Sequence, residues 1–320
     1  MNDACYSNLW HGRLAHVGEQ VTSQIHKHVE GIDRPLRFNP FFKCGTCVPN
    51  KMSKQPHSRT NKHKTRNKNK NDKNTDITQV KHPRDHPENM ESDNTTEGNP
   101  GQYFHMDFGF VRGTGYRVKT ENAPTVTSID GFNSYLIIVD RITRYLWVFL
   151  TTSKSPPIEI ARSVLQKFKC NNRHRVVRTD QGKELGKSAA FQTMLKEEGF
   201  LLEMTGADAS AQNAIAESPN KYLGNMMRCV LHAADLGPEY WSFALIHAAF
   251  IKNRVPHSYI KKTPFEALTG TKPNLSNLRT FGCRIFAKKP GKRPVKLDYH
   301  TSNGIFLGYT YHEKCLLYRR

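Results

Sequence analysis

A chain of 320 residues is long enough for two or three domains, and 48 Lys and Arg against 28 Asp and Glu give it a formal charge of +20, which points to a polyanionic partner: nucleic acid or an anionic membrane surface. No window offers about 18 consecutive apolar residues, which argues against a transmembrane span, and MNDACYSNLWHG lacks the basic start and apolar run of a secretory signal. Seven cysteines is an odd count, and five of them (Cys5, Cys170, Cys229, Cys283, Cys315) are scattered singly, which argues against a secreted disulfide scaffold and for an intracellular chain.

Residues 1–50 hold a metal-ligand pattern. WHGRLAH places His11 and His16 with four residues between them, and CGTC places Cys44 and Cys47 with two between. Zinc takes four N or S ligands in a tetrahedron, and this spacing is its usual supply. Five positions along a helix turn through about 500°, so the two histidines cannot share one regular helical face. One of them is expected at a helix end or on a turn, with His26 and His28 as nearby competitors. Four protein ligands leave no open coordination position, so the role is structural: the metal gives a 50-residue segment a core it could hardly build alone.

The composition then changes. Residues 51–73 hold nine Lys and Arg, one Asp and a single large apolar residue, Met52. The segment to Pro100 stays polar and is punctuated by Pro83 and Pro87. Such a stretch cannot bury enough apolar surface to offset its ordering entropy, so 51–100 reads as a disordered linker, either a spacer or a nucleic-acid-binding arm.

Residues 102–255 read as an α/β domain. QYFHMDF is a short strand, and NSYLIIVD and RYLWVFL form a hairpin. SPPIEIARSVLQKFKC switches to helical spacing, with Ser155 expected as N-cap and Pro156 at the first helical position. RVVRTD is a strand, SAAFQTMLKEEG a helix ended by Gly199, FLLEM a strand and 213–235 a helix, expected to start near Ala216–Ser218 because Pro219 belongs in a first turn. WSFALIHAAFI (241–251) reads as a buried helix. The order predicts a mixed sheet covered by helices. Residues 281–310 read as three short strands with turns at PGK and SNG, which suits a small β-barrel.

Three carboxylates stand out on this scaffold. Asp107 is expected to close the first strand and Asp180 the fourth, and Glu217 opens the late helix with 36 residues between it and Asp180. If the first and fourth strands are neighbours, Asp107 and Asp180 lie side by side. Two like charges so close raise a pKa unless a cation sits between them. Magnesium, an oxygen-seeking ion, suits such carboxylates, and two ions about 3.5–4 Å apart serve phosphoryl transfer.

LWHGRLAH with CGTC, HMDFGF, YLIIVDRITRYLWVF, RTDQGKEL, AQNAIAESPNK, and FGC with KLDYHTSNGIFLGYT follow one another over roughly residues 9–310. Together they resemble the integrase region of a Ty1/copia-type retrotransposon polyprotein. The resemblance implies an HHCC zinc domain (1–50), the basic linker (51–100), an RNase H-like core with a D,D(35)E-type triad (101–265), and a connector with an SH3-like β-barrel (266–320). It makes His11, His16, Cys44 and Cys47 zinc ligands, and Asp107, Asp180 and Glu217 catalytic residues holding Mg²⁺ or Mn²⁺. The implied activity is 3′-end processing of the element's DNA copy and strand transfer into target DNA, with no ATP, small-molecule cofactor or protein nucleophile. The implied setting is a homo-multimer on DNA, formed first in a cytoplasmic particle and acting in the nucleus. The family releases this region from a longer polyprotein, so the chain is expected to be a fragment of one or a gene-model remnant of an old insertion.

The sequence departs from that pattern in places. Ala214 stands where the family has glycine, and Ser218 where it has arginine; Gln181 follows the second aspartate where Asn is common. Alternative readings are therefore a non-catalytic DNA-binding relative and an RNase H-like nuclease that cuts without joining. Lys221, four residues after Glu217, and Arg228 share its helix face and are candidate phosphate contacts, an ordinary Glu217–Lys221 pair being the competing reading. The net charge of about +8 on the linker would give a salt slope of at most about −7.

Overall fold

The computed structural model of the chain describes residues 3–38, 43–51, 98–113, 124–153, 155, 157–168, 175–179, 185–204, 214–288, 300–309 and 315–319. The expected linker falls almost entirely outside these residues, as do Asp180, Gln181 and the PGK segment.

The N-terminal module consists of α1 (Asp3–Arg13), α2 (Glu19–Thr22), a 3-10 turn at Ile25–Lys27, and α3 (Cys47–Lys51). Trp10, Leu14, Ile25 and Leu36 form its buried interior. A mixed sheet follows, built from β1 (Tyr103–Gly109), β2 (Ser134–Asp140), β3 (Leu146–Thr151), β4 (Val176–Thr179) and β5 (Leu201–Met204), in the order β3-β2-β1-β4-β5. The β1–β2–β3 run is antiparallel, and β4 and β5 are parallel to β1. Helices α4 (Ile158–Leu165) and α5 (Ala189–Glu197) lie between β3, β4 and β5 in the chain, and α6 (Ala214–Ala233), α7 (Trp241–Arg254) and α8 (Pro264–Thr269) follow. Strands β6 (Arg284–Lys288), β7 (Thr301–Tyr309) and β8 (Cys315–Arg319) make a separate antiparallel sheet. The expected α/β class with a mixed-sheet core is what the chain adopts, and no helix among the described residues is long and apolar enough to cross a membrane.

Strand alternation divides the core. Phe104 and Met106 point to one face and pack with Val164, Leu165, Phe191 and Leu195 of α4 and α5. The residues between them face α6 and α7, where Tyr135, Ile137 and Val139 meet Leu223, Met226, Trp241 and Leu245. Asn253 of α7 ties that helix to the sheet by bonding both the N–H (2.9 Å) and the carbonyl (2.8 Å) of Leu146.

The N-terminal module packs back onto the rest of the chain. The Glu30 N–H donates to the Pro273 carbonyl, and the Leu275 N–H donates to the Glu30 carbonyl, both at 2.9 Å. Gly31 has φ 84° and lies so close to Ser276 that a Cβ would overlap its backbone. On another side α3 packs against α6.

Four local expectations are corrected. Helix α4 starts at Ile158 with Pro157, not Ser155, as N-cap; in a Pro-Pro pair the first proline is disfavoured in the helical region, which moves the start beyond the second. Helix α6 starts at Ala214, so Pro219 sits inside it. Proline there forfeits one bond, to the Ile215 carbonyl, and the buried face of Leu223, Met226 and Val230 holds the helix nonetheless. Strand β1 continues two residues past Asp107. The Ser-Asn-Gly segment is not a turn but part of β7, where Gly304 pairs with both Ile285 and Arg319; the third strand of this sheet is β8. Pairing on both sides overrides local turn chemistry.

His247 on α7 is fully buried against Phe281, Phe306 and Tyr309, and burial holds its imidazole down at about 3; His105 on β1 is likewise held at about 3 by burial and by Arg178, Arg141 and Arg144. Both are neutral when folded and protonate near 6.5 when unfolded. Their contribution is therefore intact above pH 6.5 and is lost as pH falls toward 3, by roughly 1.4 kcal/mol per pH unit for each histidine. Urea unfolding followed from pH 7 to 4 is expected to show this fall, and His247→Leu a shallower one; identical pH profiles would contradict the assignment to His247.

Candidate functional site

The first site is built by the end of α1. His11 lies in its last turn, and the chain then turns left-handed at Ala15 (φ 52°) and His16 (φ 60°), with the His16 N–H donating to the His11 carbonyl at 2.9 Å. The expected break between the two histidines is this turn. It sets the imidazoles edge to face, with ring centroids 4.8 Å apart. Cys44 and Cys47, at the start of α3, close the group from the other side. His11 Nε2 lies 3.3 Å from Cys47 Sγ, and His16 Nδ1 lies 3.5 Å from Cys44 Sγ and 3.7 Å from Cys47 Sγ. All four ligand atoms lie within 4.8 Å of one another. Around zinc, with Zn–S of about 2.3 Å and Zn–N of about 2.0–2.1 Å, a tetrahedral edge between N and S is about 3.6 Å. The donor set and its spacing fit an HHCC zinc domain. His26 and His28 stay outside the group.

The second region surrounds Asp107. β1 is the centre of the sheet, with β2 antiparallel on one side and β4 parallel on the other. The first and fourth strands are thus neighbours, the condition set by the sequence. Their pairing runs to Met106 opposite Thr179, and the next residues in the two strands' sequences are Asp107 and Asp180. Asp180 lies outside the described residues, and the side chain of Glu217, in the first turn of α6, is likewise not described. Asp107 is half-buried and faces α6, where the Asn220 side-chain amide donates to its Oδ2. Asn220 follows Glu217 by three residues on that helix and was not singled out by sequence reasoning; helical spacing from Glu217 was the available signal. Its Oδ1 is buried and has no hydrogen-bond partner among the described residues.

A groove of about 1120 Å³ opens beside Asn220, between α6 and the chain that follows β1. Lys221 and Arg228 both line it, as do Lys51, Arg112 and His232. Tyr135 and Trp241 provide part of its floor. Gly109 is required here, because a Cβ would overlap the Tyr135 ring. Burial, reinforced by the nearby Asp107 carboxylate, pushes the Tyr135 phenol well above its ordinary value, so it stays neutral. Lys221 is exposed, whereas the Arg228 guanidinium bonds the Asn225 side chain and the Asn50 carbonyl of α3.

A scan of protein-family models finds no match to the chain. Among curated proteins, it is 24% identical over 308 residues to the Retrovirus-related Pol polyprotein from transposon RE1 of Arabidopsis thaliana, covering 94% of this chain and 17% of that protein. It is 24% identical over 311 residues to the corresponding polyprotein from transposon RE2 of the same plant, again 94% and 17%. It is 27% identical over 187 residues to that from transposon TNT 1-94 of Nicotiana tabacum, covering 58% of this chain and 14% of the relative. The chain is homologous to Ty1/copia-type retrotransposon Pol polyproteins and spans about a sixth of the length of these relatives.

Proposed function

We propose that this Pol-polyprotein homologue is the integrase region, an enzyme that trims the 3′ ends of the element's DNA copy and joins the resulting 3′ hydroxyls to target DNA. Its parts are then the zinc module (1–50), the linker (51–100), the catalytic core (101–265), and the connector with an SH3-like domain (266–320). Asp107, Asp180 and Glu217 are the catalytic carboxylates. The observation that carries this reading is the position of Asp107: central in a mixed sheet, on the strand parallel to the one that leads into Asp180, and bonded to Asn220 one turn along the helix from Glu217.

Bound Mg²⁺ or Mn²⁺ supplies Lewis-acid activation of the attacking oxygen and stabilisation of the leaving one. The protein's part is to hold carboxylate oxygens in place. Asn220 fixes Asp107 by its amide, and its unpartnered Oδ1 beside that carboxylate suits the oxygen preference of a hard cation and its water shell. Lys221 and Arg228 bind phosphates along the groove. A homo-multimer on DNA, acting in the nucleus after assembly in a cytoplasmic particle, is part of the same proposal.

The test supplies a duplex with a free 3′ hydroxyl, a target duplex and Mg²⁺ or Mn²⁺. Metal-dependent joined product supports the reading. Shortened strands alone mean a nuclease without joining, and DNA binding by the folded chain with neither product means a non-catalytic DNA-binding protein. For the groove, Lys221→Ala and Arg228→Ala are each expected to weaken binding about equally across DNA sequences and to reduce the salt slope by about 1. An unchanged slope in both variants would remove the groove from the binding surface.

A further inference from the structure

We propose that the groove beside Asn220 is a composite DNA surface with one wall supplied by the N-terminal module: helix α3 presents Lys51 as a phosphate contact, so that DNA binding and metal loading of the His11–His16–Cys44–Cys47 centre are coupled. The inference rests on the DNA reading of the groove and on the zinc reading of the quartet. Helix α3 begins at Cys47 and ends at Lys51, four residues and about one turn later, so the two side chains lie on one face. A helical side chain leans back over the preceding turn, and the Lys51 ammonium accordingly donates to the carbonyl of His16, a member of the quartet. An ammonium carries three donors. The bond to His16 orients the group and leaves the others for the groove, which Lys51 lines together with Lys221 and Arg228 of α6.

The same wall braces a cation of the core. The Arg228 guanidinium reaches the Asn50 carbonyl of α3 at 3.4 Å, and Asn50 is itself buried, its side-chain amide donating to the Thr46 carbonyl at 2.8 Å. The module's seat on the rest of the chain does not depend on the groove. Glu30 is bonded to Pro273 and Leu275, the Lys272 ammonium donates to the Lys27 carbonyl at 3.0 Å, and Trp10 and Leu14 share an apolar cluster with Met226 and Val230 of α6. Arg112 adds a cation from the chain that follows β1, and no Asp or Glu lines the groove among the described residues. Positive charge gathered from two modules along one groove fits the backbone of a polyanion. A duplex that bridges Lys51 and Lys221 needs α3 in place, so by linkage DNA and metal each raise the affinity for the other by the same factor.

The full chain is loaded with zinc, and its zinc affinity is measured by chelator competition with and without a short DNA duplex. DNA is expected to tighten zinc binding about 5–150-fold, the usual range of coupling between two sites, and Lys221→Ala, on the core side of the groove, to reduce that factor. In zinc-loaded chain Lys51→Ala is expected to reduce the salt slope of DNA binding by about 1, and Lys51→Arg, which keeps the charge, to retain it. Equal zinc affinity with and without DNA would overturn the proposal, as would a full salt slope in zinc-loaded Lys51→Ala. The wild-type competition needs no variant, so it decides the matter if Lys51→Ala does not fold. If Lys221→Ala and Arg228→Ala lower the slope and Lys51→Ala does not, the groove stands and only the module's wall falls; unchanged slopes in all three remove the groove itself. A wild-type chain that takes up no zinc overturns the coupling at the quartet.

Discussion

On the proposed integrase reading, replacing Asp107 by Asn is expected to lower metal-dependent strand joining by about 10³-fold while the chain stays folded and retains DNA binding. The metal ions of a phosphoryl-transfer site stabilise developing charge by several kcal/mol, and each 1.36 kcal/mol is tenfold in rate, so loss of one ligand is worth roughly three powers of ten. Asn keeps the size of the side chain and can still accept from the Asn220 amide, which confines the change to charge. Asp180→Asn and Glu217→Gln are expected to cost as much, and pairs of them little more, because residues of one site act as a unit. Asn220→Ala touches only the positioning of Asp107 and should cost about 10–100-fold. Joining that survives all three carboxylate substitutions would end the triad assignment.

Removing zinc, or substituting Cys44 by Ser, is expected to unfold the N-terminal module. Structural zinc in small domains contributes about 10–16 kcal/mol of apparent folding free energy, comparable to the whole stability of an ordinary domain. The module also has apolar contacts of its own: Trp10, Leu14 and Ile25 join the cluster that includes Met226, Trp241 and Leu275. Loss of metal should therefore release residues 3–38 and 43–51 to fast hydrogen exchange and lower protection along α6, while the sheet of β1–β5 stays protected. Wild-type chain should carry about one Zn²⁺, by the four-ligand count. Full protection of the module in metal-free chain would contradict a structural zinc.

What could be read from the sequence follows the range of the interactions. The His–Cys quartet was legible because ligand type and spacing are local, and even the break between His11 and His16 followed from helical geometry. The strands were legible because NSYLIIVD and RYLWVFL are apolar runs, and β2 proves buried at all seven positions. The pairing of β1 with β4 could only be stated as a condition, since strand order is set by contacts far apart in the chain. Asn220 was missed for the same reason: which face of α6 meets β1 is decided by packing. The pairing of Glu30 with residues 273–275 has no sequence pattern at all. Local chemistry misled where tertiary structure outweighed it, as at Ser302–Gly304, held in a central strand, and at Pro219, absorbed into a helix that starts earlier.

The central claim is that Asp107, Asp180 and Glu217 hold divalent metal at one site, and iron-directed backbone cleavage tests it without relying on activity. Zinc-loaded full chain is charged with Fe²⁺, exposed to ascorbate and peroxide, and its fragments are mapped. The account predicts cuts clustered near residues 107, 180 and 217, suppressed together by excess Mg²⁺ and by Asp107→Asn. Cuts near only one of the three, or cuts that Mg²⁺ does not suppress, would contradict it.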